Sequence, residues 1–83
     1  MPPKIHSPET LGAVLREERK KRGLSQTAVG RSVGIDQPTM SRVEKGNPGT
    51  ELGTLFRLLA ALGLELTVQA RHHEGDGVRG DSW

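Results

Sequence analysis

The sequence predicts a mainly α-helical domain, with four or five short helices followed by one C-terminal β-strand that pairs across a homodimer. Between Ser7 and Gly63, apolar residues recur at helical spacing in short runs, most of them bounded by a capping residue and a glycine. The pattern then changes to strict alternation over 64–70. With 83 residues, of which 33% are hydrophobic and 2% aromatic, one copy has little material for a core, so self-association is expected.

Capping serines predict the first two helices. After an N-terminal arm of residues 1–7, a serine and a proline at the first helical position predict a helix from Pro8 to Arg22. Lys and Arg fill its last turn, which suits the negative end of the helix dipole. Ser25 is expected to cap a second, shorter helix that ends at Val33.

Two further helices follow by the same logic. Asp36 is expected to cap a third helix from Gln37 to Lys45, and Gly46 follows it. Glu44, near the end of this helix, is expected to form an internal ion pair. Thr50 is expected to cap a fourth helix, which stops at Gly63. The apolar stripe predicted for this last helix consists of Leu52, Leu55, Phe56, Leu59 and Leu62.

The end of the chain changes character twice. The alternating residues 64–70 predict a half-buried strand, and a lone strand leaves both edges unpaired. We therefore predict that Leu64, Leu66 and Val68 belong to a strand that pairs with its copy in a second chain. Residues 8–70 are then expected to form one domain that also dimerises, and the Gly-rich, charged residues 71–83 are expected to form a disordered tail.

Charge is distributed unevenly along the chain. The formal net charge is +2, but residues 1–50 hold nine Lys and Arg against five Asp and Glu, whereas residues 51–83 hold three against five. A basic half suits a polyanion such as nucleic acid, although a solvated surface explains it equally well.

The second and third predicted helices, joined by three residues that begin with Gly34, form a helix-turn-helix pattern. The outward residues at the start of the second helix of such a unit reach base edges in the major groove. The predicted base contacts are Gln37, Pro38, Ser41 and Arg42. The predicted phosphate contacts are Gln26, Thr39 and Lys45.

The spaced residues of this unit resemble the Cro/phage-repressor (XRE) type of helix-turn-helix, whose fold is lambda-repressor-like. The resemblance rests on Gln26, Val29-Gly30, Gly34-Ile35, Gln37, Thr39-Met40-Ser41 and Val43-Glu44. HipB-type antitoxins match more closely still, through Ser7-Pro8, the recognition segment 34–41, a strand after the last helix and a tail that ends in Trp83. Asp36 and Pro38 depart from the usual pattern and leave the target DNA sequence open.

The resemblance implies a homodimeric, sequence-specific repressor of its own operon that also binds a HipA-type serine/threonine kinase toxin. Trp83 is then a predicted anchor for that partner, since Trp is enriched at interface hot spots. A degradation signal and no role at all are the alternatives for this residue. The alternative functions are a stand-alone repressor without a toxin partner and an adaptor that has lost DNA binding.

Other classes of function find little support in the sequence. There is no Cys, and the adjacent His72-His73 lack spaced partners, so we predict no metal site and no cofactor. No nucleophile–base pair, phosphate-binding loop or carboxylate dyad is recognisable, so we predict no catalytic residue and no enzyme activity. No apolar run approaches the about 18 residues of a membrane span, and residues 1–9 contain no apolar stretch of signal-peptide length, so we expect neither a membrane span nor a signal peptide. We expect a cytoplasmic, nucleoid-associated protein.

Overall fold

The computed structural model describes residues 2–71 of the chain, which form four α-helices. The first, α1 (Pro8–Lys21), begins with a reciprocal cap: Ser7 Oγ accepts from the Thr10 N–H at 3.1 Å, and Thr10 Oγ1 accepts from the Ser7 N–H at 3.1 Å. It ends one residue earlier than predicted, with Arg22 as its C-terminal cap.

The next two helices match their predicted starts. In α2 (Gln26–Val33), Ser25 Oγ accepts from the Ala28 N–H at 3.0 Å. In α3 (Gln37–Glu44), Asp36 plays the same part, and Lys45 caps the C-terminus instead of belonging to the helix. These starts were predictable because each depends on residues within one turn.

The predicted cap of the fourth helix was wrong. The helix α4 (Leu52–Ala61) has Glu51 at its N-cap position, with no side-chain hydrogen bond to the first turn. Thr50 instead donates its hydroxyl proton to the Asn47 carbonyl oxygen at 2.9 Å, and its own N–H bonds to the same carbonyl at 3.2 Å. Thr50 therefore belongs to the turn that follows α3, and α4 begins after it.

The four helices enclose a single apolar core. α3 packs against α1 and α2, and α4 packs against α2. The core residues are Leu15, Val29, Ile35, Met40, Val43, Leu55, Leu58, Leu59 and Leu62. Each such side chain contributes on the order of 1.5–3 kcal/mol through burial, and α1 and α4 thereby hold the two short middle helices in place.

The predicted stripe of α4 was only partly right. Leu55, Leu59 and Leu62 are buried, but Leu52 and Phe56 are 64% and 50% exposed. Leu58, absent from the prediction, is among the most deeply buried residues. The stripe is centred between positions 55 and 62, and at 3.6 residues per turn the side chains of positions 52 and 56 fall to one side of it.

The C-terminal segment, residues 64–71, forms no strand within the chain, and residues 2–71 contain no β-strand. Leu64 is half-buried against the core, whereas Leu66 and Val68 are 43% and 99% exposed. Strand pairing with a second copy therefore stays a prediction. The tail beyond Arg71, with Trp83, lies outside the described residues. No helix between residues 2 and 71 is long and apolar enough to cross a membrane.

Candidate nucleic-acid interface

A tight turn sets the angle between α2 and α3. Gly34 caps α2 with a φ of +73°, a conformation that glycine adopts at little cost. The Ile35 N–H donates to the Gly30 carbonyl oxygen at 2.8 Å. A Cβ atom on Gly30 would lie 2.3 Å from the Ile35 carbonyl oxygen, so only glycine permits this crossing. The buried Ile35 side chain then anchors the turn in the core.

The two faces of α3 differ in chemistry. Its inner face consists of the buried Met40, Val43 and Glu44. Among the predicted DNA contacts, the exposed ones are Gln37, Pro38, Arg42 and Lys45, and the half-buried ones are Thr39 and Ser41. The outward face is thus polar and basic, and it offers the side chains that the sequence assigned to DNA.

A buried ion pair lies behind this face. Arg19, on α1, forms two hydrogen bonds to Glu44: Nε to Oε2 at 2.6 Å and Nη2 to Oε1 at 2.9 Å. Its third nitrogen, Nη1, donates to the Leu24 carbonyl oxygen at 2.8 Å. Both Arg19 and Glu44 are buried, so the bidentate geometry satisfies charges that would otherwise be costly to bury.

Hydrogen bonds continue from this ion pair to the surface of α3. Gln26 Nε2 donates to Glu44 Oε1 at 2.9 Å, and Gln37 Nε2 donates to Gln26 Oε1 at 2.7 Å. We call these four residues, Arg19, Glu44, Gln26 and Gln37, the polar relay. A carboxylate can only accept, so Glu44 fixes the orientation of the Gln26 amide, and this in turn fixes that of Gln37.

The ionisation of the pair supports this orientation. Burial by itself would raise the pKa of Glu44, but hydrogen bonds from Arg19 and Gln26 and the nearby positive charges outweigh it, and the pKa is lowered. The hydrogen bonds to Glu44 raise the pKa of Arg19, against the opposing effect of burial. Glu44 is therefore an acceptor at neutral pH.

The start of α3 carries a second small cluster. Asp36 Oδ1 accepts from the Thr39 N–H at 2.9 Å, and hydrogen bonding from Thr39 lowers the pKa of Asp36. Arg42 Nη2 donates to Thr39 Oγ1 at 3.2 Å. Thr39 therefore contacts both charged side chains, Asp36 and Arg42.

Sequence reasoning anticipated an internal ion pair for Glu44, and the structure confirms one. It missed Arg19 as the partner, because that residue was expected only to complete the last turn of α1. It also missed the part of Gln26 in the relay. One signal was readable: Glu44 lies one turn after the inward Met40 and therefore faces the interior.

No group of three or more His, Asp or Glu side chains in residues 2–71 is placed to hold a metal ion. His72 and His73 lie beyond that range. The predicted dimer residues Leu64, Leu66 and Val68 are in the C-terminal segment, outside the relay and the helix-turn-helix unit.

Known proteins resemble this chain in sequence and in fold. A helix-turn-helix domain family matches residues 10–72. Antitoxin HipB of Escherichia coli (strain K12) is 34% identical over 65 residues, which cover 78% of this chain and 74% of that protein. The chain belongs to the HipB antitoxin family of helix-turn-helix proteins.

Solved structures agree with this membership. A chain in the structure of a HipA-HipB-O2-O3 complex superposes with a TM-score of 0.80 at 31% identity, covering 84% of this chain and 99% of that one. The restriction-modification controller protein C.AhdI from Aeromonas hydrophila superposes with a TM-score of 0.65 at 33% identity, over 70% of this chain and 88% of that one. The resemblance to HipB-type antitoxins and the helix-turn-helix fold class inferred from the sequence are thus confirmed.

Proposed function

We propose that this chain binds operator DNA as a homodimer, places α3 in the major groove, represses its own operon and neutralises a HipA-type serine/threonine kinase toxin. The observation that carries the DNA-binding part is the outward face of α3, where Gln37 is held by the polar relay beside basic residues. Similarity to a chain in a HipA-HipB-O2-O3 complex supports both partners.

The polar relay leaves Gln37 suited to adenine. One hydrogen of Gln37 Nε2 goes to Gln26, so the second hydrogen and the side-chain oxygen remain for DNA. Adenine presents N7 as an acceptor and N6 as a donor in the major groove, which matches this pair of groups. Gln37 is therefore the proposed reader of an adenine in each half-site.

The other predicted contacts divide by their position on α3. Pro38, Ser41 and Arg42 are the further proposed base contacts, since they follow Gln37 on the outward side. Thr39 and Lys45 are proposed to bind phosphates. Gln26 uses its side-chain amide within the relay, so its phosphate contact is assigned to the backbone N–H at the start of α2.

The proposed dimer forms through the C-terminal segment. Leu66 and Val68 are exposed apolar residues in an alternating segment, and pairing with the same segment of a second copy would cover part of this surface. Leu64, which contacts the core, links the proposed strand to the helices. We place the resulting dimer in the cytoplasm, bound to the nucleoid, and assign it no enzymatic role.

A stand-alone repressor is the second proposed function. Similarity to the controller protein C.AhdI favours it, as does 40% identity over 50 residues to an uncharacterized HTH-type transcriptional regulator of Haemophilus influenzae. The two functions differ only in the toxin partner. A kinase-like reading frame beside this gene, and calorimetric binding to its product, would decide for the antitoxin.

The test of DNA binding is fluorescence anisotropy with the DNA upstream of the gene and with a scrambled duplex of equal composition. We expect the upstream DNA to bind at least 1,000-fold more tightly, with an affinity that falls steeply as salt rises. Arg42→Ala and Lys45→Ala should weaken binding, whereas Lys21→Ala, which removes a charge from the end of α1, is the matched control. Equal binding of both duplexes by the wild-type protein would refute sequence-specific repression.

A further inference from the structure

Asp36 places a negative charge at the N-terminal end of α3, and this end of the helix is the one proposed to contact DNA. Its Oδ1 atom accepts from the Thr39 N–H, and within residues 2–71 no residue other than Thr39 donates to this carboxylate. The side chain is exposed and directly precedes Gln37. A carboxylate has about four acceptor positions on its two oxygens, so Asp36 keeps acceptor capacity for a ligand beside the helix cap.

Space for such a ligand lies beside it. An open groove of about 380 Å³ between α2 and α3 is lined by Thr27, Arg31, Gly34, Ile35, Asp36 and Gln37. The residue assigned to adenine and its acidic neighbour therefore line the same groove. A base edge adjacent to that adenine is the part of the DNA that would meet Asp36.

The cap itself does not require a charge. The first two helices of this chain are capped by Ser7 and Ser25, which are neutral, and Ser, Asn and Asp cap helices about equally well. A carboxylate that faced phosphates would weaken binding to all DNA. The Asp36 carboxylate differs from a serine hydroxyl because it accepts hydrogen bonds and cannot donate one.

This chemistry discriminates among bases. In the major groove, cytosine offers only the N4 amino group as a donor, whereas guanine offers the acceptors N7 and O6. We propose that Asp36 is a specificity-determining residue that accepts from cytosine N4 at the base pair next to the one read by Gln37, and that it rejects guanine there. The proposal rests on the proposed DNA-binding function.

Two cap-preserving substitutions test it by selection from an operator library randomised at the half-site. Wild-type protein is expected to favour cytosine over guanine at this position by about fivefold or more, the value of one well-placed hydrogen bond. Asp36→Ser keeps the cap but offers no outward acceptor in the same place, so the preference should fall to about twofold or less. Asp36→Asn caps with its oxygen and presents its amino group, so the preference should shift to guanine or thymine.

A control separates base reading from a general charge effect. Glu17→Gln removes an exposed carboxylate from α1 and should leave the base preference unchanged. Thermal unfolding of the two Asp36 variants should stay within a few degrees of wild type, because the cap is retained.

The outcomes separate the two levels of the proposal. Two outcomes would overturn only the assignment to Asp36. In one, both variants keep the cytosine preference. In the other, the wild-type protein selects a base at the Gln37 position but none at the neighbouring position. A wild-type protein without preference at any base pair would overturn the proposed function instead.

Discussion

The four helices and the C-terminal segment, residues 64–71, distribute polar and apolar groups in opposite ways. In the first, the charged side chains of Arg19 on α1 and Glu44 on α3 are buried and hydrogen-bonded to each other. In the second, the apolar side chains of Leu66 and Val68 are exposed. One region buries charge and the other exposes hydrocarbon, and each arrangement is unfavourable unless something compensates for it.

Compensation comes from different sources in the two regions. The polar relay pairs its buried charges within one chain, through α1, α2 and α3. The C-terminal segment has the alternation of a strand, but residues 2–71 leave the side chains of Leu66 and Val68 exposed. The difference is why we propose that one copy shapes the outward face of α3, whereas a second copy covers the C-terminal segment.

The largest expected effect comes from breaking the relay at its buried end. Glu44→Ala leaves the Arg19 guanidinium buried without its carboxylate, which should lower the free energy of unfolding by about 3–5 kcal/mol. Urea denaturation at fixed protein concentration measures this loss. Glu18→Ala, which removes the more exposed pair with Arg22, should cost no more than about 1 kcal/mol. Equal losses in the two variants would contradict a structural role for the buried pair.

Next in size is the loss of the proposed dimer. Val68→Pro removes a backbone donor from the strand in both copies, at about 1 kcal/mol for each hydrogen bond, so dimerisation should weaken by about 2 kcal/mol or more. Sedimentation equilibrium at micromolar concentration should then show monomer. Arg71→Pro, just beyond the predicted strand, should leave the dimer intact. A Val68→Pro variant as dimeric as wild type would exclude this segment as the interface.

Truncation of the Gln37 side chain should change the base preference at one base pair of each half-site. Gln37→Ala is expected to cost about 1–3 kcal/mol on operator DNA and to relax the preference for adenine at its position, with little change on random DNA. Anisotropy titrations with single-base variants of the operator measure this. Equal losses on operator and random DNA would show that Gln37 does not read a base.

The relay alters the expectation for Gln26. A side-chain contact of Gln26 with phosphate, as the sequence predicts, would make Gln26→Ala weaken binding to all sequences alike. Because the side chain holds the Gln37 amide and the proposed phosphate contact is made by the backbone N–H, which alanine keeps, we expect instead a loss confined to the adenine position. A double-mutant cycle with Gln37→Ala should therefore show coupling on operator DNA and none on random DNA.

A smaller loss is expected from deletion of Ser82 and Trp83, and only toward the toxin kinase. For the disordered tail that the sequence predicts, binding carries a cost in ordering, so the anchor should contribute on the order of 1–3 kcal/mol, nearer the lower value. Calorimetric titration of the cognate kinase measures it, with operator binding and dimerisation unchanged as internal controls. An unchanged dissociation constant would leave a degradation signal or no role for Trp83.

Acid should give the mildest and most gradual effect, since it neutralises Glu44 without removing the side chain. The pKa of Glu44 is lowered in the folded chain from its usual 4.5, so its contribution to stability is present above about pH 4.5 and is lost as the pH falls further. Glu44→Gln should flatten this dependence in a series of denaturation curves. A variant with the same acid profile as wild type would assign the loss to other carboxyl groups.

Local signals made much of the fold predictable. The starts of α1, α2 and α3 followed from a capping residue and its neighbours within one turn, and the helix-turn-helix unit followed from the spacing of small and apolar residues. The same reasoning failed for Thr50, where the preceding turn took the hydroxyl group, and for Phe56, where apolar character did not bring burial.

The sequence by itself determined the four helices, the basic outward face of α3 and membership in the HipB antitoxin family, because these depend on residue types at short, fixed spacings. Only the tertiary structure decided which polar groups meet. Arg19 and Glu44 are 25 positions apart, Gln26 and Glu44 are 18 apart, and Gln37 and Gln26 are 11 apart. Such pairs depend on how helices cross, and the crossing is set by the packing of the whole core, so the orientation of the Gln37 amide could not be read from residues near it in the chain.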